Sequence, residues 1–136
     1  MKRLLSVALI ILTSLMLFSC SKLTMKSLEE KLKKEEFEIE IEDGEMALRY
    51  LRLDIEEQYN LEFEGEILEH LFATGHFKDS SGEYDGVIFE AIEFENENDA
   101  KKYYDIMLKE VGKKFVKIEG TLVVRSSLDR ALKLFT

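Results

Sequence analysis

Val87-Ile88-Phe89-Glu90-Ala91-Ile92-Glu93-Phe94 is the stretch that most limits what this chain can become. A half-exposed strand alternates apolar and polar residues, whereas this one is apolar on both parities except at Glu90 and Glu93. That pattern belongs to a strand in the middle of a sheet. Asn96-Glu97-Asn98-Asp99 follows at once, offering a helix cap and first-turn acids that complement the helix dipole. Ala100, Tyr103, Tyr104, Met107 and Val111 then recur at helical spacing, and Gly112 supplies the stop. A central strand, a cap and an amphipathic helix therefore form the middle of the fold.

The flanking segments are read the same way. Ser27, with Glu30 three residues on, predicts a capping box opening a helix that runs to about Glu36. Phe37-Glu38-Ile39-Glu40-Ile41-Glu42 alternates strictly and predicts a strand with one wet face, ended by Asp43-Gly44. From Glu45 to about Tyr59 a helix is expected, with Ala47, Leu48, Leu51, Ile55 and Tyr59 on one side. Met46, Tyr50 and Leu53 widen that stripe and predict a well-buried helix stopped at Asn60. Residues 65–77 favour a strand entering a hairpin at Asp79-Ser80-Ser81-Gly82, although Glu66 to Leu71 also fits a helical turn. Phe115–Ile118 and Thr121–Arg125 read as short strands around Glu119-Gly120, and Ser127 as the cap of a last helix, Leu128–Phe135. The order β-α-β-β-α-β predicts an α+β domain: a mainly antiparallel sheet with helices on one face, a ferredoxin-like core, and additional N- and C-terminal helices. The expected division is a leader over 1–19, a tether over 20–26 and a single domain over 27–136.

The leader starts with Lys2 and Arg3, continues as a 15-residue apolar run from Leu4 to Phe18, and ends at Ser19-Cys20. The run is short for a membrane span, which takes about 20 residues, and has the layout of a secretory signal. Leu17 stands three residues before Cys20, the only cysteine. That arrangement resembles the lipobox of bacterial lipoproteins. The resemblance implies cleavage before Cys20, lipidation of Cys20 (palmitate among its acyl chains), and attachment to the cell membrane or outer membrane on its extracytoplasmic side. Lys22, Lys26, Lys31, Lys33 and Lys34 outnumber Glu29 and Glu30 just beyond, a basic collar suited to anionic headgroups or simply a solvated helix face.

Charge narrows the partners. The chain carries −9, and because the leader contains two of its 19 basic residues and none of its 28 acidic ones, removing 1–19 takes it to −11. Nucleic acid is excluded as a partner, since phosphates need a basic face. With one cysteine no intramolecular disulfide is possible, so the apolar core must suffice by itself.

No catalytic apparatus is legible. G-x-S-x-G and glycine-rich phosphate loops are absent. His70 and His76 would lie about 20 Å apart on an extended strand, too far to share a metal. The acidic loop Asp79 to Asp85 lacks the glycine and acids of an EF-hand, and a solvated hairpin is the simpler reading. Glu90 and Glu93 differ in parity; Glu90 becomes a candidate only if buried with a raised pKa. Tyr103 and Tyr104 are candidate ligand contacts, although aromatic residues at such spacing usually pack in a core.

Leu17–Cys20, Phe89–Tyr104 and the closing hairpin Phe115–Arg125 together resemble a family of small bacterial lipoproteins of unknown function. The resemblance carries no catalytic residue. The anchor, the missing catalytic groups and the charge of −11 instead lead to the expectation of a non-enzymatic, membrane-anchored module, without cofactor, that holds an envelope protein; the competing expectation is a small-ligand or cation-binding lipoprotein.

Overall fold

The computed structural model describes residues 22–136. The leader, the Leu17–Cys20 motif and Cys20 itself lie outside the described residues. The domain is α+β, a five-stranded antiparallel sheet with four helices among the described residues.

Helix α1 is Met25–Lys34. Its cap is Thr24 rather than Ser27: the Thr24 hydroxyl accepts from the Ser27 amide at 3.1 Å, and the Ser27 hydroxyl accepts from the Thr24 amide at 2.9 Å. Starting three residues early aligns Met25, Leu28 and Leu32 on one buried line, which the later cap would break. Leu23 and Met25 are thus core residues rather than tether. The helix ends with Glu36 left-handed at φ 62° while the Phe37 amide donates to the Leu32 carbonyl. Glutamate is a poor occupant of that position. Glu36→Gly is expected to raise the unfolding free energy by about 0.5–1 kcal/mol in urea titrations, and an unchanged midpoint would contradict this reading.

Strand β1 (Glu38–Glu42) leads through helix α2 (Glu45–Tyr59) to a long hairpin, β2 (Ile67–Asp79) and β3 (Gly82–Phe94). Helix α3 (Glu97–Glu110), strands β4 (Val116–Glu119) and β5 (Leu122–Ser126) and helix α4 (Asp129–Phe135) complete the domain. The strand order is β1-β2-β3-β5-β4, with every neighbouring pair antiparallel. A split βαβ core needs parallel strands, so the order does not reproduce the ferredoxin-like arrangement.

Helices also cover both faces of the sheet, not one. Leu71, Ala73, Phe89, Ala91 and Val124 face α1 and α4, where Phe37, Phe89 and Phe135 pack edge to face with centroids 5.3–5.7 Å apart. Ile67, Ile92, Phe94, Val116 and Val123 face α2 and α3. The two-sided apolar pattern of β3 is the physical reason: Phe89 and Ala91 serve one core, Ile92 and Phe94 the other. Leu68 is an extra residue in β2 opposite β3, and this irregularity turns Ile67 toward the α2/α3 side.

Helix α2 departs most from expectation. Only Leu48 and Ile55 are buried, while Met46, Tyr50 and Leu53 are 71%, 63% and 52% exposed. The sheet face offers α2 one narrow line of contact, because α3 occupies its neighbour's place over β3, β4 and β5. The last helix also starts differently: Ser126 Oγ accepts from the Leu128 amide, whereas Ser127 Oγ accepts from the Ile88 amide and ties the chain to β3.

Candidate functional site

Register builds one polar cluster inside the α2/α3 side of the sheet. Glu90 on β3 lies opposite Arg125 on β5 and Phe72 on β2, and His70 sits diagonally from it. All four side chains share one face. Arg125 contacts Glu90 Oε1 through Nε at 2.9 Å and Nη2 at 2.7 Å. Tyr103, descending from α3, donates a long hydrogen bond of 3.4 Å to the same oxygen. His70 Nε2 stands 3.3 Å from Glu90 Oε2 but off the line of a hydrogen bond, and that buried nitrogen has no other partner among the described residues.

Electrostatics lock this cluster rather than prime it. Burial pushes the Glu90 carboxyl up, but the adjacent His70 ring and Arg125 guanidinium outweigh it and hold the group below the usual carboxylate range. The condition that would have made Glu90 a proton-transfer candidate, a raised pKa, is therefore not met. Burial, reinforced by the charge of Glu90, pushes the Tyr103 phenol up, so it stays a neutral donor. Burial favours loss of the Arg125 charge, yet the neighbouring Tyr103 and Glu90 keep its pKa above the ordinary value. The result is a neutralised carboxylate–guanidinium pair that holds β3 and β5 in register beneath α3.

A pH dependence follows. Because the folded Glu90 pKa lies below the unfolded value of about 4.3, its stabilisation is complete above that value and is lost as pH falls through the folded one. Glu69 has the opposite sign. Burial and the charges of Glu29, Asp43 and Glu93 raise its pKa, so its ionised form costs stability, a cost relieved as acid protonates it. Arg125→Met is expected to cost about 2 kcal/mol near neutral pH, less than a fully buried pair because Arg125 is over a third exposed. Urea titrations from pH 6 to pH 3 should show the variant losing less further stability than wild type. Equal acid-side slopes would contradict the assignment.

What the cluster presents outward is small. Phe72, Ile88, Val111, Ser126 and Ser127 surround a recess of about 200 Å³ with Glu90 and Arg125 at its base. Ligand pockets run to about 300–1,000 Å³, so this recess suits a single side chain better than a metabolite. Among the described residues its two serine hydroxyls accept from backbone amides, and neither is hydrogen-bonded to a base.

The other sequence candidates are dispersed. Tyr103 is core, 4% exposed and packed on Phe94 at 5.6 Å. Tyr104, its sequence neighbour, is half-buried and lines open grooves near β4. The two tyrosines do not share a site. His76 Nδ1 meets Asp85 at 2.6 Å, far from the partners of His70. Asp79 is occupied by the Ser81 amide and hydroxyl and by Arg130. Glu93 faces away from Glu90 and accepts from the Thr121 hydroxyl. Among the described residues no three His, Cys, Asp or Glu side chains converge as a metal site, and no helix is long and apolar enough to cross a membrane.

Sequence reasoning missed Asp99, a wholly buried acid. Its carboxylate accepts from the Glu64 amide at 2.9 Å, the Gly65 amide at 2.8 Å and Asn96 Nδ2 at 3.0 Å. The cap pattern Asn-x-x-Asp was visible; the loop it gathers, 35 residues away, was not. Comparison with protein-family models, with curated proteins and with solved structures gives no match.

Proposed function

We propose that this chain is a lipid-anchored envelope protein, a non-enzymatic interaction module that holds a partner protein through the outer face of α2. Cys20 carries the lipid after removal of 1–19, and the domain sits on the extracytoplasmic side of the cell membrane or outer membrane. The observation that supports the binding role is the stripe Met46, Tyr50 and Leu53, spaced i, i+4, i+7 on one helix and each more than half exposed. Such spacing is what a helix presents to an apolar groove of another protein, and methionine and tyrosine are enriched in interfaces. Leaving these side chains wet forgoes about 25 cal/mol for each Å² of apolar surface, a loss a partner would recover. Arg49, paired with Glu45 at 3.2 Å, supplies a polar rim.

The test places a photoreactive amino acid at position 50 of the full chain in intact cells. A discrete light-dependent adduct is expected there, and none from the same probe at exposed Glu110. Identical diffuse labelling at both positions, or none at 50, would contradict the reading.

A further inference from the structure

The uncovered side of α2 has the spacing of a coiled-coil seam. Met46 and Leu53 lie seven residues apart, as do Tyr50 and Glu57, and together they alternate by four and three along the helix. Leu48 and Ile55, also seven apart, hold the opposite side against the sheet. In heptad terms Met46 and Leu53 take the d positions of the seam, and Tyr50 and Glu57 the a positions. Arg49 then falls at g and Asp54 at e, one on each flank of the stripe, and both are exposed. Asp54 takes part in no ion pair among the described residues, and Arg49 contacts only Glu45, through Nη2.

We infer that α2 of one copy packs in parallel against α2 of a second copy held on the same membrane. This rests on the reading of α2 as a docking face and names its occupant. In a parallel pair each g position faces the e position five residues further along the other helix. Arg49 therefore meets Asp54 of the second copy, and symmetry makes the contact twice. It is the one g–e combination with both members inside α2, because Glu56 would need position 61 and Ala47 position 42, both outside Glu45–Tyr59. Met46, Tyr50 and Leu53 each meet their own counterparts along the seam. Glu57 meets its counterpart in the last turn, where both carboxylates turn to water.

An antiparallel pair is poorer, since it sets g against g and e against e. The acid then facing Arg49 is Glu56, which is mostly buried and already held by Arg52 at 2.6 Å. Asp54 would face Ala47 or a second Asp54. Parallel packing also suits the anchor. A two-fold axis along the paired helices keeps corresponding atoms of the two copies at one height, so both chains reach the same bilayer. Three side chains bury well under the about 800 Å² per partner of a standard interface. The contact is therefore weak in free solution and depends on confinement to one membrane, which raises the effective concentration of the copies.

The test uses the full chain in intact cells, with Met46→Cys as reporter. Mild oxidation is expected to yield a disulfide-linked dimer, because residue 46 meets itself in the parallel pair. In an antiparallel pair centred on the stripe the two residues 46 stand more than about 10 Å apart along the helix axis. Leu134→Cys on α4 is similarly exposed, 66% against 71%, and is expected to give at least about tenfold less dimer. In the Met46→Cys background, Arg49→Asp and Asp54→Arg are each expected to lower the yield about three- to tenfold, and the double variant, which exchanges the two charges, to restore it. No dimer from position 46, equal yields from 46 and 134, single charge variants that dimerise like their parent, or a double variant that recovers nothing would each overturn the inference. A photoadduct at position 50 with a different protein would also overturn it while leaving α2 a docking face; no adduct there would remove both.

Discussion

Asp99→Ala is expected to lower the unfolding free energy by about 3–4 kcal/mol, among the largest effects of any single substitution in this domain. The carboxylate has no exposed surface and gathers the Glu64 amide, the Gly65 amide and Asn96. Removing it strands two part-buried amide donors at about 1–3 kcal/mol each and weakens the α3 cap, because Asn96 Nδ2 loses the carboxylate that steadies Asn96 while its Oδ1 accepts from the residue 99 amide. Lys102 holds the same loop through the Glu62 carbonyl, so the loop will not detach entirely. Asp99→Asn keeps one acceptor and should fall between alanine and wild type in chemical denaturation. If alanine and asparagine cost the same, or less than about 1 kcal/mol, Asp99 is not the clamp described.

Gly75→Ala comes next, with an expected loss of about 2–3 kcal/mol. A Cβ there would lie 2.6 Å from two ring carbons of Phe37, which is itself wedged against Phe89 and Phe135. The ring is a rigid obstacle, unlike the end of a flexible side chain, so the strand or the aromatic cluster must shift. Fewer unfolded conformations for alanine offset a fraction of this, up to about 1 kcal/mol. A double-mutant cycle with Phe37→Leu isolates the cause. The penalty at Gly75 should shrink markedly when the ring is gone; an unchanged penalty would place the strain elsewhere.

How far the fold is legible in the residues depends on whether a signal is local. The Asp79–Gly82 hairpin, the left-handed Asn60, the Asn96 cap, the Gly112 stop and the Gly120 turn all rest on short-range chemistry, and the structure contains each of them. The N-terminal cap moved to Thr24 because tertiary burial of Leu23 and Met25 chose between two hydroxyl residues three apart. Helices on both faces were in principle readable from β3 alone, since a strand apolar on both parities needs two cores. Strand order was not: nothing local says that β5 inserts between β3 and β4. The Glu90–Arg125 pair is invisible for the same reason, because their apposition exists only once β3 and β5 are in register. Met46, Tyr50 and Leu53 show the limit of periodicity, which marks an apolar stripe without saying what covers it.

The proposed binding role rests on that exposed stripe, whereas the cluster around Glu90 is locked electrostatically. A buried carboxylate neutralised by a guanidinium holds strands together; it does not move protons at neutral pH. The exposed apolar stripe of α2 lies elsewhere on the surface.

The binding role presupposes a domain held at a membrane surface, and Cys20 decides that. Intact-mass spectrometry of the chain recovered from the envelope fraction is the direct measurement. The expected product begins at Cys20 and carries acyl chains, because a single chain anchors only marginally and stable attachment takes more than one signal. An unmodified Cys20, or a product that retains Met1, would contradict the anchored module.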